Sequence, residues 1–348
     1  MKNNVYSLTL PKLEDFFVAR SENKAKAKIL YSLLYKDKIA SFSEIDIFGL
    51  RTIKMLEEEL SLDELVLLEK RESKDAAKLL FRLFDGNSIE TVLMRHDYGN
   101  GLCVSTQAGC NMGCVFCESG INKKIRNLEA HEMVLQILYA EKALNTSVSH
   151  ITLMGIGEPL DNYDNVMKFI DIIGCQRGLD IAARHVTIST CGLIPQIEML
   201  KNRETHSNLA LSLHAPNDEI RGALMPINKV YGVKKLMEAV KSYSLVKNKK
   251  TTIEYILLSG INDSDECAKE LCGLLNGIKC YVNLIPCNET SLGFKRPEKE
   301  RIDNFYRILL DNGKRATIRR EFGSGLKAAC GQLRGGFIDK LKYSGGEQ

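Results

Sequence analysis

Cys110-Asn-Met-Gly-Cys114-Val-Phe-Cys117 follows the apolar β-run Gly101-Leu-Cys-Val-Ser-Thr106 after only three residues. Three thiols at C-x3-C-x2-C spacing can wrap one metal centre. Structural zinc sites normally close with four ligands. Three leave a coordination position open, which suits a [4Fe–4S] cubane whose fourth iron takes a small molecule. Three unrelated core thiols would have no need of this spacing. The next β-run, residues 150–154, leads into Gly155-Ile-Gly157-Glu158-Pro159. Glycines there would let backbone approach a ligand closely, and Glu158 could accept from an ammonium group.

Working outward, the same alternation repeats. Apolar β-runs occur at 101–106, 150–154, 185–190, 208–213, 252–258 and 280–285. Helical patterns fall between them near 128–145, 163–174, 195–203, 218–225 and 233–244. Repeated β-α units predict an α/β fold, a parallel sheet closed into a partial (β/α)6 barrel. Its chemistry belongs at the C-terminal ends of the strands. Upstream, residues 79–85 and 88–96 read as two β-runs joined by a turn at Asp85-Gly86-Asn87. The first 85 residues otherwise read as a small, mainly helical accessory module, with helical patterns at 23–35 and 51–69. Residues 1–38 carry a net charge of +4 and residues 39–85 one of −4. That polarity would suit a polyanion on one face, although a solvated helix face explains it equally well. The expected division is residues 1–85 as accessory domain, 86–336 as barrel core with a C-terminal extension, and 337–348 as tail.

Composition sets the outer limits. The chain has 348 residues, 44% hydrophobic and 26% charged, which suffices for a sizeable core and excludes general disorder. Net charge is only +4, too small to declare a nucleic-acid binder. The first fifteen residues hold no continuous apolar segment, so no signal peptide is expected, and no run is long enough to cross a membrane. A cytoplasmic, monomeric protein is the expectation. Eleven cysteines in a reducing compartment point to metal or catalysis rather than cross-links.

Further motifs carry a resemblance. Ser212-Leu-His-Ala-Pro-Asn217, Leu224-Met-Pro-Ile-Asn228, Asn283-Leu-Ile-Pro286 and Ala328-Ala-Cys-Gly-Gln-Leu333, together with the cysteine loop and the glycine loop, resemble the RlmN/Cfr family of radical S-adenosylmethionine (SAM) RNA adenine methyltransferases. The resemblance spans essentially the whole chain. It implies that Cys110, Cys114 and Cys117 ligate one [4Fe–4S] cluster. It implies that Gly157, Glu158, Ser189, Ser212, Leu213, His214 and Asn288 contact SAM, used twice per turnover. Cys330 would receive a methyl group from one SAM. A radical made from the second would activate that S-methyl group and join it to adenine. Glu90 would take the adenine proton, and Cys103 would release the product by forming a transient disulfide with Cys330. Taken singly, Cys103 on a β-run reads as a small core hydrophobe. Likewise Cys330 beside two alanines reads as packing, Glu90 as an exposed strand carboxylate, and His214 as a structural histidine. Covalent catalysis gives the set a shared purpose, splitting a hard methylation into feasible steps.

The resemblance implies 23S rRNA and tRNA as partners and a flavodoxin or ferredoxin as electron donor. A basic segment at 312–343, net +6, and Lys123, Lys124 and Arg126 after the cysteine loop would form a phosphate-attracting rim. The target base must leave its stack to reach a buried radical. Glu118 beside Cys117, Glu289 after Asn288 and Gly325-Leu-Lys327 before Ala328 depart from the usual family pattern. The motifs around 157–162, 190–195 and 212–218 lean toward methylation of adenine C2. The alternatives are C8 methylation of the same ribosomal adenine, a radical SAM enzyme acting on a non-RNA substrate, and a non-catalytic zinc-bound RNA-binding protein. The other six cysteines, Cys175, Cys191, Cys267, Cys272, Cys280 and Cys287, read as core thiols. The remaining histidines form no metal pattern.

Overall fold

The computed structural model describes residues 2–62, 65–120, 123–288 and 292–320. Cys330, Lys327, Arg334 and the tail 337–348 lie outside the described residues, as does Glu289. The N-terminal module begins with helices α1 (Leu10–Val18), α2 (Ala25–Ser32) and α3 (Leu50–Glu59). The chain then forms strands β1 (Val66–Glu72), β2 (Ala76–Arg82), β3 (Ser88–His96) and β4 (Gly99–Cys103). These four pair antiparallel in sequence order. The expected helix over 51–69 therefore ends at Glu59, and the residues after it turn into an edge strand. Val66 and Leu67 are half-exposed, so this strand gains its order from the β2 ladder rather than from burial. Residue 85 lies in the β2–β3 turn, where Asn87 N–H meets Asp85 Oδ1 at 3.1 Å and Gly86 supplies the positive φ of +82°.

From β4 onward the ladder is parallel: β5 (His150–Leu153), β6 (Val186–Thr190), β7 (Asn208–Ser212), β8 (Thr251–Leu257), β9 (Cys280–Pro286) and β10 (Ala316–Ile318). All ten strands lie in one sheet in chain order, from β1 at one end to β10 at the other. The six expected β-runs are thus present, extended by a short seventh parallel strand, β10. Helices α4 (Ala130–Leu144), α5 (Tyr163–Ile173), α6 (Ile194–Asn202), α7 (Asp218–Leu224), α8 (Val233–Lys247), α9 (Asp265–Leu274) and α10 (Lys299–Asp311) connect them.

Strand periodicity explains the two faces. Ile151, Ile188, Leu209, Leu211, Ile253, Tyr255, Val282 and Leu284 all belong to the main core under the helices, each such burial worth about 1.5–3 kcal/mol. The intervening residues face inward, and Ser189, Ser212, Glu254 and Asn283 among them are polar. Register places Ser212, Glu254, Asn283 and Thr317 in one row across β7 to β10. The N-terminal module shares the main core and docks on α4 and α5. Ser7 Oγ meets His131 Nδ1 at 3.1 Å, Lys38 pairs with Glu141 at 2.8 Å, and Tyr31 Oη donates to Ile172 O at 3.3 Å.

Candidate active site

An open cavity lies at the C-terminal strand ends, with the mostly apolar lining and few convergent polar groups of a small-molecule site. Cys110, Cys114 and Cys117 line it, with Gly157, Glu158, Ser189, Ser212 and His214. Seven sequence positions up to 104 residues apart thus join the first cysteine at one wall because each follows or ends a parallel strand.

The cysteine loop is held by backbone. Cys117 N–H donates to Cys114 O at 3.1 Å, Gly120 N–H to Cys117 O at 2.9 Å, and Val115 N–H to Leu224 O at 3.0 Å. Gly113 takes φ +65°, a left-handed conformation that suits glycine. Burial pushes the Cys110 thiol up to about 12 and raises Cys114 well above the thiol range. Ligation would therefore release protons. An all-thiolate donor set bordering one open cavity is of the kind that holds an iron–sulfur cluster.

The glycine loop has a structural rationale beside the expected one. A Cβ on Gly155 would lie 2.7 Å from Ser105 N, and one on Gly157 2.6 Å from Gln107 Cβ. These glycines admit the 105–107 segment of the neighbouring loop, and both also border the cavity. With φ +107° at Gly157, Gly157→Ala should cost about 2–3 kcal/mol. A lower Tm by calorimetry checks this, and an unchanged Tm would refute the close-approach argument.

Glu158 is buried, which raises its carboxyl pKa. Its Oε1 accepts from Leu160 N–H at 3.1 Å and its Oε2 from Cys191 N–H at 2.8 Å, so it also ties the β5 loop to the end of β6. His214 sits at φ +60° with its carbonyl held by Asn262 Nδ2 at 2.8 Å. Its Nδ1 accepts from Ile256 N–H at 3.0 Å, and burial lowers its pKa to about 3. The neutral ring therefore carries its proton on Nε2 as a donor. Ser189 Oγ and Ser212 Oγ lie 3.5 Å apart. Leu213 is in the main core, with N–H given to Glu254 O and its carbonyl taken by Arg221 Nε. Asn288, two residues beyond β9, is not among the described residues lining the cavity.

Glu90 and Cys103 share the inward face beside this cavity. Register pairs Val92 with Cys103, and Glu90 precedes Val92 by two on the same face of β3. Glu90 is buried rather than exposed, and its Oε1 lies 2.8 Å from Lys78 Nζ. Cys103 packs with Val92, Met94 and Ile156, against Met154, and Met154 lines the cavity.

The basic rim after the cysteine loop is partly neutralised. Lys124 pairs with Asp161 at 2.7 Å, and Arg126 pairs with both Asp85 and Glu132 at 2.6 Å. Sequence reasoning missed Glu254 and Cys191 in the cavity lining, where Arg319 of the expected basic segment joins them. Asn283 Nδ2 donates to Glu254 Oε2 at 2.7 Å, and burial raises the Glu254 pKa. A carboxylate at inward parity within the apolar run of residues 252–258 was the available signal. Two of the six core thiols, Cys191 and Cys287, form an apolar cluster that packs against Cys114 and Phe116.

Comparison with known proteins agrees with this geometry. Residues 104–271 match the radical SAM superfamily. A probable dual-specificity RNA methyltransferase RlmN from Thermoanaerobacter sp. (strain X514) is 45% identical, covering 95% of this chain and 97% of that one. The protein of the same name from Enterococcus faecalis (strain ATCC 700802 / V583) is 45% identical, covering 98% of each. A crystal structure of a radical SAM methyltransferase from Sphaerobacter thermophilus superposes with a TM-score of 0.91 at 38% identity, over 95% of this chain and 99% of that one.

Proposed function

The chain belongs to the RlmN family of SAM-dependent radical SAM RNA methyltransferases, and from that premise we propose that it methylates C2 of adenine. The substrates in this reading are 23S rRNA at the peptidyl-transferase centre and tRNA at the adenine next to the anticodon. The observation that carries it is the convergence of Cys110, Cys114, Cys117, Glu158, Ser189, Ser212 and His214 on one cavity, with Glu90 and Cys103 on the adjoining inward face.

Cys110, Cys114 and Cys117 would hold one [4Fe–4S] cluster, whose open iron supplies one-electron cleavage of SAM when both are bound. The row of Ser189, Ser212 and the Nε2–H of His214 offers hydroxyl and N–H partners for SAM, with Gly157, Glu158, Leu213 and Asn288 completing the expected contacts. Ordinary methyl transfer to Cys330 would use one SAM and the radical step a second. Glu90, held by Lys78, is suited to take the adenine proton, and Cys103 to pair with Cys330 on release. An RNA substrate, an electron donor of the flavodoxin or ferredoxin type and a monomer acting in the cytoplasm complete the reading. No described helix is long and apolar enough to cross a membrane.

Anaerobic turnover with SAM, a reductant and an rRNA fragment or tRNA tests the reading by nucleoside mass spectrometry. Product matching 2-methyladenosine is expected. Product matching 8-methyladenosine would move the assignment to C8, and absence of both from cluster-loaded enzyme would defeat RNA adenine methylation.

A further inference from the structure

Arg221, in α7, is completely buried. Its Nη2 donates to Cys191 O at 2.6 Å, its Nε to Leu213 O at 3.2 Å, and its Nη1 to Asn228 Oδ1 at 3.0 Å and Tyr231 O at 3.5 Å. Every one of these acceptors is uncharged. Asp218, one turn earlier, accepts at Oδ1 from Val233 N–H at 2.7 Å and from Asn228 Nδ2 at 2.9 Å. Among the described residues no carboxylate touches Arg221, and Asp218 acts on it only across the intervening Asn228. A buried cation held only by neutral oxygens is costly unless a counter-charge lies nearby.

The surroundings indicate where that counter-charge belongs. α7 carries the cysteine loop, because Leu224 O accepts Val115 N–H at 3.0 Å. Leu224 and Met225 pack with Cys191 against Cys114, Met112 and Phe116. The Arg221 charge acts on Cys114 and Cys191. The peptide of Cys191 is gripped at both ends, its N–H by Glu158 and its carbonyl by Arg221.

We propose that Arg221 is the built-in counter-charge of the iron–sulfur cluster held by Cys110, Cys114 and Cys117, and that it raises the potential at which the cluster accepts an electron. The inference rests on the reading that these cysteines hold such a cluster. Three thiolates around a [4Fe–4S] core leave a net negative charge, and reduction adds another. A fixed cation stabilises the reduced form more than the oxidised one, and burial keeps it from being screened by salt. Removing the cation must therefore make reduction harder. Arg221 is a positioning residue, acting on the cluster through the field and on the strand ends through its hydrogen bonds.

The test uses full-length wild type, Arg221→Lys, Arg221→Gln and Arg221→Met, each reconstituted anaerobically. Arg221→Gln and Arg221→Met both remove the charge, one keeping a polar head and the other only an unbranched stem. Iron and sulfide are assayed first. A redox titration followed by electron paramagnetic resonance then reads the midpoint without SAM or RNA. In Arg221→Gln and Arg221→Met the reduced-to-oxidised ratio at a fixed potential should fall at least tenfold, equivalent to 59 mV for one electron. Arg221→Lys should remain near wild type. If the neutralised variants fail to hold a cluster while Arg221→Lys holds one at the wild-type potential, the counter-charge role is again supported. A loaded Arg221→Gln or Arg221→Met with the wild-type midpoint overturns it, as does failure of all three variants to load. A wild type that binds no cluster would instead defeat the underlying reading.

Discussion

Cys114→Ala yields a folded protein that has lost its iron. The fold survives because the loop is held by main-chain bonds: Val115 N–H to Leu224 O, Gly120 N–H to Cys117 O, and Ile125 N–H to Ala108 O at 2.7 Å. Replacing one partly buried thiol removes a single sulfur from an apolar wall of Met112, Phe116 and Met225, a loss of about 1 kcal/mol. The ligand set suffers far more. Two thiols cannot fill three coordination positions. Iron should fall from about four per chain to below about one, with loss of brown colour. Turnover should fall by more than the 10–100-fold typical of an outer-shell change around a metal. Cys175→Ala is the comparison, since Cys175 follows α5 and packs on the main core away from the cavity. It should keep its iron. Full iron and turnover in Cys114→Ala would remove the cysteine loop from the mechanism.

The cysteines were legible because a metal loop is local: three ligands within eight residues carry their spacing wherever the loop lies. The barrel was legible for a related reason, since each β-α unit announces itself within about thirty residues. What escaped depended on partners distant in sequence. Residues 65–72 continue the charged, leucine-bearing character of α3, and only the ladder with β2 makes them a strand. Ala316–Ile318 is too short to show a period, and its order comes from β9. Lys124 and Arg126 were read correctly as basic, yet their net effect depends on Asp161, Asp85 and Glu132. Gly155 and Gly157 were singled out correctly, but the backbone they admit is the loop at 105–107. Arg221 carried no sequence signal at all. An arginine in a short amphipathic helix reads as a surface residue, and only packing on the cysteine loop shows otherwise.

Cys103→Ala should keep its cluster and accumulate a covalent protein–RNA adduct. In the proposed reaction a methylene group links Cys330 sulfur to the adenine carbon, and Glu90 has taken the ring proton. Release then needs the Cys103 thiolate to attack Cys330 sulfur. An S–S bond forms, the S–CH2 bond breaks, and its electron pair passes to the methylene carbon, which gains a proton and becomes the methyl group. The fold supplies a reason to assign this role to Cys103. It lies opposite Val92 across β3 and β4, on the face that bears Glu90, with Met154 between it and the cavity. Ser105 Oγ donates to Glu90 O at 2.6 Å, so the segment after Cys103 is tied to the strand that carries the base. Alanine removes only a small sulfur from an apolar cluster of Val92, Met94 and Ile156, so stability should change by about 1 kcal/mol. Without the thiol the last bond cannot break. An RNase-sensitive band of reduced mobility on a denaturing gel should build toward one RNA per chain, while free methylated product falls at least about a hundredfold. Adding Glu90→Gln to Cys103→Ala should slow formation of the proton-depleted adduct without altering iron content, because neither residue belongs to the cysteine loop. Normal multiple turnover by Cys103→Ala, with no band, would show that release proceeds without this thiol and would return Cys103 to the core residue its strand position first suggested.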